Sequence, residues 1–413
     1  MTLRAAPRPR LSNSLRPTAR FEGARNASAP PLRVVAISAD DATPGARWPI
    51  VCVLALTLIA ALAVRLILLL RYYVTPDADQ TIVGLMARHI LQGERPLFYW
   101  GQPYTGSAEA YATAALFRIF GQSDLLLHIV PLVASLLFVA LTVYLAWRLY
   151  GLLVAALSGI FFVSAPMLLV DWGFWAGSGY LEAMALGTAA LLMVLPLGMS
   201  ESRNAWLRVT GASFLLGFAV WVQPIAVYYL IAVLAVLIAP VLRLARNPRA
   251  WPAGLAALVL ACGAFAVGAA PLLIFNLQHH GATFGFLAGR ATHLGIVTVC
   301  GRLLLWACPV LLGFLPPTTD RTYFLGFIQG HIALYGMALL LVFVLLFRAL
   351  TLWRGAASRL RSLLTGHPAK DAWLVLFILI VTVGYIGTGW GAEQWAGSQP
   401  RYLLPAYTAL PLL

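Results

Sequence analysis

The side chains best suited to chemistry are concentrated between Arg71 and Gly121, where acids, amides and aromatic residues stand close together. Two of them, Asp77 and Asp79, form an Asp-x-Asp pair directly before a run whose apolar residues recur at helical spacing. A partly desolvated aspartate can act as a general base, whereas an Asp-x-Asp pair could bind Mg²⁺ or Mn²⁺. Asp is also a favoured helix N-cap. The pattern makes Asp79 and Asp77 candidate catalytic residues and leaves a divalent cation open as a cofactor.

The composition is that of a membrane protein. Of the 413 residues, 61% are hydrophobic and 10% are charged, whereas soluble domains carry about 25% charged residues. Apolar runs of roughly 20 residues recur along the chain, long enough to cross a bilayer as helices. No alternating strand pattern typical of a barrel competes with them. The sequence therefore predicts an all-α polytopic protein with about ten transmembrane helices and the lipid bilayer as a partner.

The net charge of +14 comes almost wholly from arginine. In a soluble protein such a charge would suggest nucleic-acid binding. Here the arginines lie between apolar segments, as they do in the cytoplasmic loops of membrane proteins, so no nucleic-acid partner is predicted. The four cysteines form no CxxC pair, and the histidines show no metal-ligand spacing. No Cys/His metal centre is predicted either.

The distribution of arginine also predicts the orientation in the membrane. Residues 1–46 are expected to form a disordered cytoplasmic tail, and residues 47–413 the membrane domain. Residues 71–123 then become the first outer loop, with amphipathic helices. Residues 276–324 form a long outer loop with a re-entrant helix, because a full crossing would expose a basic loop outside and bury Arg302 in lipid. The last apolar run is too short to span, which predicts a truncated C-terminus.

The individual membrane helices are predicted at the successive apolar runs. Their approximate positions are residues 48–70, 125–147, 151–170, 181–199, two spans broken at 221–224, 252–274, 325–347 and 372–389.

The first outer loop resembles that of a known enzyme family. Its sequence, PDADQTIVGLMARHILQGERPLFYWGQPYTGSAEAYATAALFRIFG, is similar to the corresponding loop of bacterial polyprenol-phosphate-sugar-dependent glycosyltransferases of the GT-C superfamily. These enzymes are related to the protein O-mannosyltransferases and the aminoarabinose transferases. The resemblance continues at residues 179–182, 281–284 and 401–405 and covers most of residues 50–410.

This resemblance implies a GT-C-type fold in the cell membrane, with an active site on the extracytoplasmic face. It implies transfer of a sugar from a polyprenyl-phosphate donor to a hydroxyl of a lipid, glycan or protein acceptor, with inversion at the anomeric carbon. The family's catalytic acid is usually the first member of an Asp-Glu pair, which falls on Asp79. Its companion here is Gln80 rather than Glu, so Asp77 could substitute for the missing carboxylate.

A departing lipid phosphate requires a cation, and two arginines are candidates. Arg401 comes first, because Arg401-Tyr402 resembles the family's Arg-Tyr pair; both residues are predicted to bind substrate. Arg65 comes second, since an arginine within a membrane helix is a functional hypothesis by default, although its side chain could also snorkel to the interface. Arginine–phosphate contacts would stabilise the leaving group as the bond breaks.

The remaining substrate-binding candidates carry amide, phenol or carboxyl groups. They are Gln102, Tyr104, Glu109 and Glu182. Trp100, Trp172 and Trp175 could stack on a sugar, but aromatic residues gather at bilayer interfaces in any case, and the acids could simply be solvated there.

Two other functions remain open at this stage. A transporter or flippase usually shows inverted repeats and polar residues at the midplane, whereas this chain collects its polar residues outside the membrane. A degenerate family member that binds polyprenyl lipid without turnover is the second alternative, suggested by Gln80.

Overall fold

The computed structural model describes residues 48–72, 76–199, 204–289, 295–314, 370–387 and 399–412. Within these ranges the protein is helical, and its only extended pairing is an isolated bridge between Phe98 and Gly106. The all-α prediction is therefore confirmed for this part of the chain. The predicted tail, residues 1–46, and the helix predicted at residues 325–347 lie outside the described ranges.

The longer helices are numbered along the chain. They are α1 (Trp48–Tyr72), α2 (Ala78–Leu91), α3 (Ala108–Phe120), α4 (Ile129–Tyr150), α5 (Leu152–Val163), α6 (Met167–Trp172), α7 (Tyr180–Met199), α8 (Ala205–Val222), α9 (Val227–Ala245), α10 (Trp251–Gly268), α11 (Ala270–Gln278), α12 (Ala282–Ala288), α13 (Ile296–Arg302) and α14 (Lys370–Gly387). Short helical turns at Asp124–Leu127, Pro224–Ala226 and Pro248–Ala250 precede α4, α9 and α10.

Five of the described helices are long and apolar enough to cross a membrane. They run over Trp48–Arg71, Asp124–Tyr150, Ala205–Val222, Pro224–Ala245 and Pro248–Gly268. Three shorter apolar helices, α5, α7 and α14, pack with them around one large hydrophobic core. Each predicted membrane helix before residue 300 and the one at 372–389 overlaps described helices, but the one predicted at 151–170 is divided at 164–166 into α5 and α6. The described helices confirm a polytopic helical membrane protein.

Two of the breaks in the apolar runs occur at prolines. After α8 the chain extends at Gln223 (φ −156°, ψ 127°), and Pro224 begins the next turn, as expected for the residue that precedes a proline. This confirms the predicted break. The helix predicted at 252–274 is divided at Ala269, because Pro271 lacks an N–H group and begins α11 instead of continuing α10.

The first outer loop folds as a small helical layer of its own. The helices α2 and α3 pack against each other and share a core that includes Val83, Met86, Ala114 and Phe117. Tyr99, from the segment between the two helices, completes this core. The predicted amphipathic helices of this loop are confirmed, and their apolar faces meet each other rather than lipid alone.

The segments near the C-terminus enter the main core. The helix α13 continues through a π-helical turn, Leu303–Ala307, into Cys308–Leu311. The last described residues form short helical turns, Gln399–Thr408 and Leu410–Leu412, and Tyr407 is fully buried with its hydroxyl donating to the carbonyl oxygen of Leu311. Arg401 lies near the start of this segment.

Candidate active site

The start of α2 separates the two aspartates. Asp77 is the N-cap: its Oδ1 accepts the N–H of Gln80 at 2.8 Å, and the Gln80 Oε1 accepts the N–H of Asp77 at 3.1 Å. This reciprocal pair is a capping box, in which Gln serves as well as Glu. The capping interpretation of Asp77 is therefore confirmed, and Gln80 has a structural role at the start of α2. Asp79, in the first turn, is left with its side chain exposed.

Asp79, whose side chain is exposed, lines a small cleft that opens to solvent. One wall belongs to the first outer loop, and the other to the outer ends of membrane helices and the connections between them. The outer-loop wall includes Asp79, Tyr99, Gln102 and Tyr104. The opposite wall includes Trp172, Trp175, Tyr180, Gln223 and Arg401.

Arg401 is held by three aromatic rings. The centre of its guanidinium lies 5.3 Å from the ring of Trp172, 5.8 Å from that of Tyr180 and 5.1 Å from that of Tyr402. These distances are typical of cation–π contacts. Its Nη2 donates to the Tyr402 hydroxyl at 3.0 Å, whereas its shielded Nε has no hydrogen-bond partner among the described residues. The guanidinium is thus held in position at the cleft wall.

The turn between α2 and α3 is tied to the N-terminal end of α2, which carries Asp79. The Tyr99 hydroxyl donates to the carbonyl oxygen of Asp79 at 2.7 Å. Burial raises the pKa of Tyr99, and the charges of Asp79, Asp77 and Glu109 raise it further, so the hydroxyl keeps its proton. The backbone N–H of Tyr99 donates to the carbonyl oxygen of Thr105 at 2.8 Å, which closes the turn.

The long outer loop packs onto this turn from the other side. The Thr283 hydroxyl donates to the carbonyl oxygen of Pro103 at 2.6 Å, and the ring of Tyr104 stacks on Phe286 with centroids 5.0 Å apart. Asn276 holds Thr283 in place by accepting its N–H at 3.0 Å. The residues that resemble the family at 281–284 therefore support the cleft rather than line it.

Gln223 is a cleft residue that sequence reasoning missed, because the break at 221–224 was taken only as the end of a span. Its Nε2 donates to the carbonyl oxygen of Ser178 at 2.6 Å. On the same break, the carbonyl oxygen of Val222 accepts the N–H of Gly106 at 3.0 Å, and the Trp221 Nε1 donates to the carbonyl oxygen of Leu97 at 2.9 Å. The break at 221–224 is thus hydrogen-bonded to both walls of the cleft. The signal available in the sequence was an amide side chain directly before a proline in an apolar run.

Glu109 and Glu182 do not line the cleft. Glu109, at 5% exposure, accepts the N–H of Gly177 at 2.8 Å through its Oε2, and both oxygens of Glu182 are shielded from solvent. Burial raises the pKa of Glu109 well above its usual range, and Glu182 raises it further; the N–H groups of Gly177 and Gly179 partly oppose this. Glu109 thus contacts, from outside the cleft, the wall residue Gly177.

Arg65 is also absent from the cleft, contrary to its prediction as a second phosphate ligand. Its side chain is 1% exposed and donates to the Ser135 hydroxyl at 3.3 Å and to the carbonyl oxygens of Ala61 and Phe162 at 3.4 and 3.3 Å. Nor does it snorkel to the interface. The arginine lies between α1, α4 and α5, where its Nε and Nη1 donate to groups of all three helices, whereas its Nη2 has no hydrogen-bond partner among the described residues.

Of the candidate sugar-stacking tryptophans, the structure places Trp172 and Trp175 in the cleft, whereas Trp100 lies outside it against His89, with ring centroids 5.1 Å apart. No group of three or more His, Cys, Asp or Glu side chains able to hold a metal ion occurs within the described ranges.

The described residues fold as a helical membrane protein with a cleft between the segment that joins α1 to α4 and the ends of membrane helices. Among solved structures, the chain resembles ArnT from Cupriavidus metallidurans bound to undecaprenyl phosphate, with a TM-score of 0.57 and 16% identity over 89% of this chain. It also resembles apo ArnT from that organism, with a TM-score of 0.52 and 14% identity over 90% of this chain. The aligned part is 59% of the ArnT chain in both cases.

No family model matches the sequence, and no curated protein matches it. The likeness to ArnT is therefore one of fold. It confirms the GT-C-type architecture that the first outer loop predicted.

Proposed function

We propose that the chain is a membrane glycosyltransferase that moves a sugar from a polyprenyl-phosphate donor to an acceptor hydroxyl on the extracytoplasmic face. The observation that carries the proposal is that Asp79 and Arg401 line the same cleft. One is an exposed carboxylate without an ion-pair partner among the described residues. The other is a cation fixed by aromatic rings. A base and an anion site facing one space are what a glycosyl phosphate requires.

In the proposed reaction Asp79 accepts the proton of the acceptor hydroxyl as its oxygen attacks the anomeric carbon. The bond between that carbon and the phosphate oxygen breaks, and polyprenyl phosphate departs with the electron pair. Arg401 stabilises the charge that develops on the phosphate. Attack and departure take place on opposite faces of the sugar, so a single displacement inverts the anomeric centre.

Recognition of the sugar fits the other residues of the cleft. Trp172 and Trp175 offer apolar ring faces, and Gln102 and Gln223 are amides able to bind hydroxyl groups. A lipid, glycan or protein hydroxyl can serve as acceptor in this chemistry. The donor carries a single phosphate that one arginine can match, so we propose that no divalent cation is needed; turnover should then persist in the presence of a chelator.

The proposed orientation places the N-terminus in the cytoplasm and the cleft outside. Arginines at the inner ends of the helices support it, among them Arg148 and Arg246. In a cysteine-free background, Thr81→Cys on α2 should react with an impermeant maleimide added to intact cells, and Arg246→Cys should not; both positions are exposed. The opposite labelling pattern would reverse the orientation.

The proposal is tested by incubating the purified protein with a radiolabelled polyprenyl-phosphate sugar and candidate acceptors. Appearance of labelled product and of free polyprenyl phosphate supports transfer. Movement of the intact labelled lipid across a vesicle bilayer would indicate a flippase instead, and binding without turnover under all conditions would indicate a degenerate family member.

A further inference from the structure

The side chain of Gln223 has a fixed orientation at the cleft. Its Nε2 donates to the carbonyl oxygen of Ser178 at 2.6 Å. A carbonyl oxygen can only accept a hydrogen bond, so the amide cannot be turned end for end without losing this contact. Gln223 is 5% exposed, and an unpaired N–H group in a buried residue is costly. The NH₂ group is therefore held against Ser178, and the position of Oε1 is set with it.

The backbone that carries this amide is held as well. The N–H of Gln223 donates to the carbonyl oxygen of Ala219 at 2.8 Å, and its carbonyl oxygen accepts the N–H of Ala226 at 3.0 Å. The facing segment is packed closely: a Cβ atom at Gly179 would lie 2.9 Å from the Val222 side chain and 3.6 Å from the Cβ of Gln223. A movement that turned the side chain away would meet this segment.

The Oε1 atom of Gln223 has no hydrogen-bond partner among the described residues. The polar atoms that lack a partner and are shielded from solvent include Oε1 of Glu109 and Nε of Arg401, but not this oxygen. Since Gln223 lines the cleft, its oxygen is open to the cleft. The protein thus presents a fixed hydrogen-bond acceptor to whatever occupies that space.

We infer that Gln223 is a specificity-determining residue, whose Oε1 accepts a hydrogen bond from one hydroxyl group of the sugar on the polyprenyl-phosphate donor. This inference rests on the proposed function, because Asp79 and Arg401 line the same cleft and are the groups proposed to act on the sugar and its phosphate. An amide oxygen can accept from a hydroxyl group but has nothing to offer a ring position that carries only hydrogen. The site therefore selects sugars with a hydroxyl group at that position.

The expected selectivity follows from the orientation of the amide. A deoxy sugar displaces water from the Gln223 oxygen without replacing its hydrogen bond, and the amide cannot turn to present its NH₂ group instead. Sites that hydrogen-bond a substrate hydroxyl reject the analogue without it for this reason. One unpaired group of this kind should lower the affinity roughly 10–100-fold.

The experiment measures the affinity of the purified protein in nanodiscs for synthetic lipids. The probes are undecaprenyl phosphate and its phosphodiesters with glucose, mannose, galactose and xylose, followed by the deoxy analogues of the sugar lipid that binds most tightly. We expect at least one deoxy analogue to bind the wild type roughly 10–100-fold more weakly than its parent. Equal affinities for undecaprenyl phosphate and every sugar lipid would overturn the inference.

Gln223→Met then identifies the hydroxyl group that Gln223 binds. The variant has a side chain of similar length without the amide, and its ratio of parent to deoxy affinity should fall to near one at a single ring position. A purely structural role would weaken all the lipids by the same factor and leave every ratio unchanged, which would overturn the inference. Gln92→Met, at the exposed C-cap of α2, is the control and should retain the wild-type ratios.

If Gln223→Met does not fold, Gln223→Asn measures the same ratios, because it keeps the amide on a side chain one methylene shorter. The outcome is separable from that of the proposed reaction. Discrimination without turnover would contradict only the transfer reaction, and turnover with unchanged ratios in the variant would contradict only the role of Gln223. A protein that bound no undecaprenyl lipid would contradict both.

Discussion

The hydroxyl of Tyr99 donates a 2.7 Å hydrogen bond to the backbone carbonyl oxygen of Asp79. Through this bond the turn between α2 and α3 supports the residue proposed as the catalytic base. Tyr99 is 5% exposed and belongs to the core shared by α2 and α3. The position of Asp79 is therefore set by the packing of the whole outer loop, and not by the capping box of α2 alone.

Tyr99→Phe removes the hydrogen bond to the Asp79 carbonyl and keeps the ring that packs in the core of the outer loop. Loss of the hydrogen bond is expected to lower the free energy of unfolding by about 1 kcal/mol and to reduce kcat more than it raises KM, since the base shifts while the donor site persists. Thermal unfolding and initial-rate kinetics measure both. Tyr111→Phe, an exposed tyrosine of α3, is the control. A lowered melting temperature with unchanged kcat would leave the hydroxyl a purely structural role.

Arg401→Lys retains the charge but loses the planar fork of donors that matches a phosphate. The affinity for undecaprenyl phosphate should fall roughly tenfold in this variant and roughly 100-fold in Arg401→Met, in line with hydrogen bonds to charged groups. Isothermal titration in nanodiscs measures the affinities. Arg71→Gln, at the exposed end of α1, should bind normally. Wild-type affinity in Arg401→Met would remove Arg401 from the donor site.

Gly106→Ala tests the attachment of the outer loop to the break after α8. A Cβ atom at this position would lie 2.6 Å from the carbonyl oxygen of Trp221, and backbone must move to admit it. We expect a loss of about 1–3 kcal/mol in stability, typical of overpacking, together with reduced turnover. Gly263→Ala has open space around its Cβ and lies within α10; it should be neutral or slightly stabilising. Equal melting temperatures for the two variants would contradict the account.

Arg65→Met tests where that arginine acts. The substitution leaves the carbonyl oxygen of Phe162, in the last turn of α5, without its donor from Arg65. We expect the melting temperature to fall by the equivalent of about 1–3 kcal/mol, while the folded fraction binds undecaprenyl phosphate with unchanged affinity. Reduced affinity at an unchanged melting temperature would return Arg65 to the donor site.

Local sequence patterns predicted the helices and the outer loop well. The period of apolar residues and the charges of a loop are both set by residues close together in the sequence. Apolar runs fixed the positions of α1, α4, α8 and α9, and the spacing after Asp79 indicated α2. What such patterns do not contain is the direction in which a polar side chain points within an apolar helix. For that reason Arg65, one residue among many apolar neighbours, was assigned to the proposed donor site, whereas its side chain is buried between α1, α4 and α5.

The site itself joins residues that are far apart in sequence, which local patterns cannot reveal. Asp79 and Arg401 came together in the prediction only through the resemblance to the GT-C enzymes. Gln223 was missed, because its function depends on the contact between the break after α8 and the Ser178 carbonyl. Gln80 was taken as a lost carboxylate, whereas the structure shows it completing the cap of α2.

The central claim is tested most directly by comparing Asp79→Asn with Asp77→Asn in the turnover of a labelled polyprenyl-phosphate sugar. Asn caps a helix about as well as Asp, so both variants should fold and bind donor. The account predicts a loss of about 10²–10⁴-fold in kcat for Asp79→Asn, the contribution expected of a general base, and near-normal turnover for Asp77→Asn. Near-normal turnover in Asp79→Asn with loss in Asp77→Asn would contradict it.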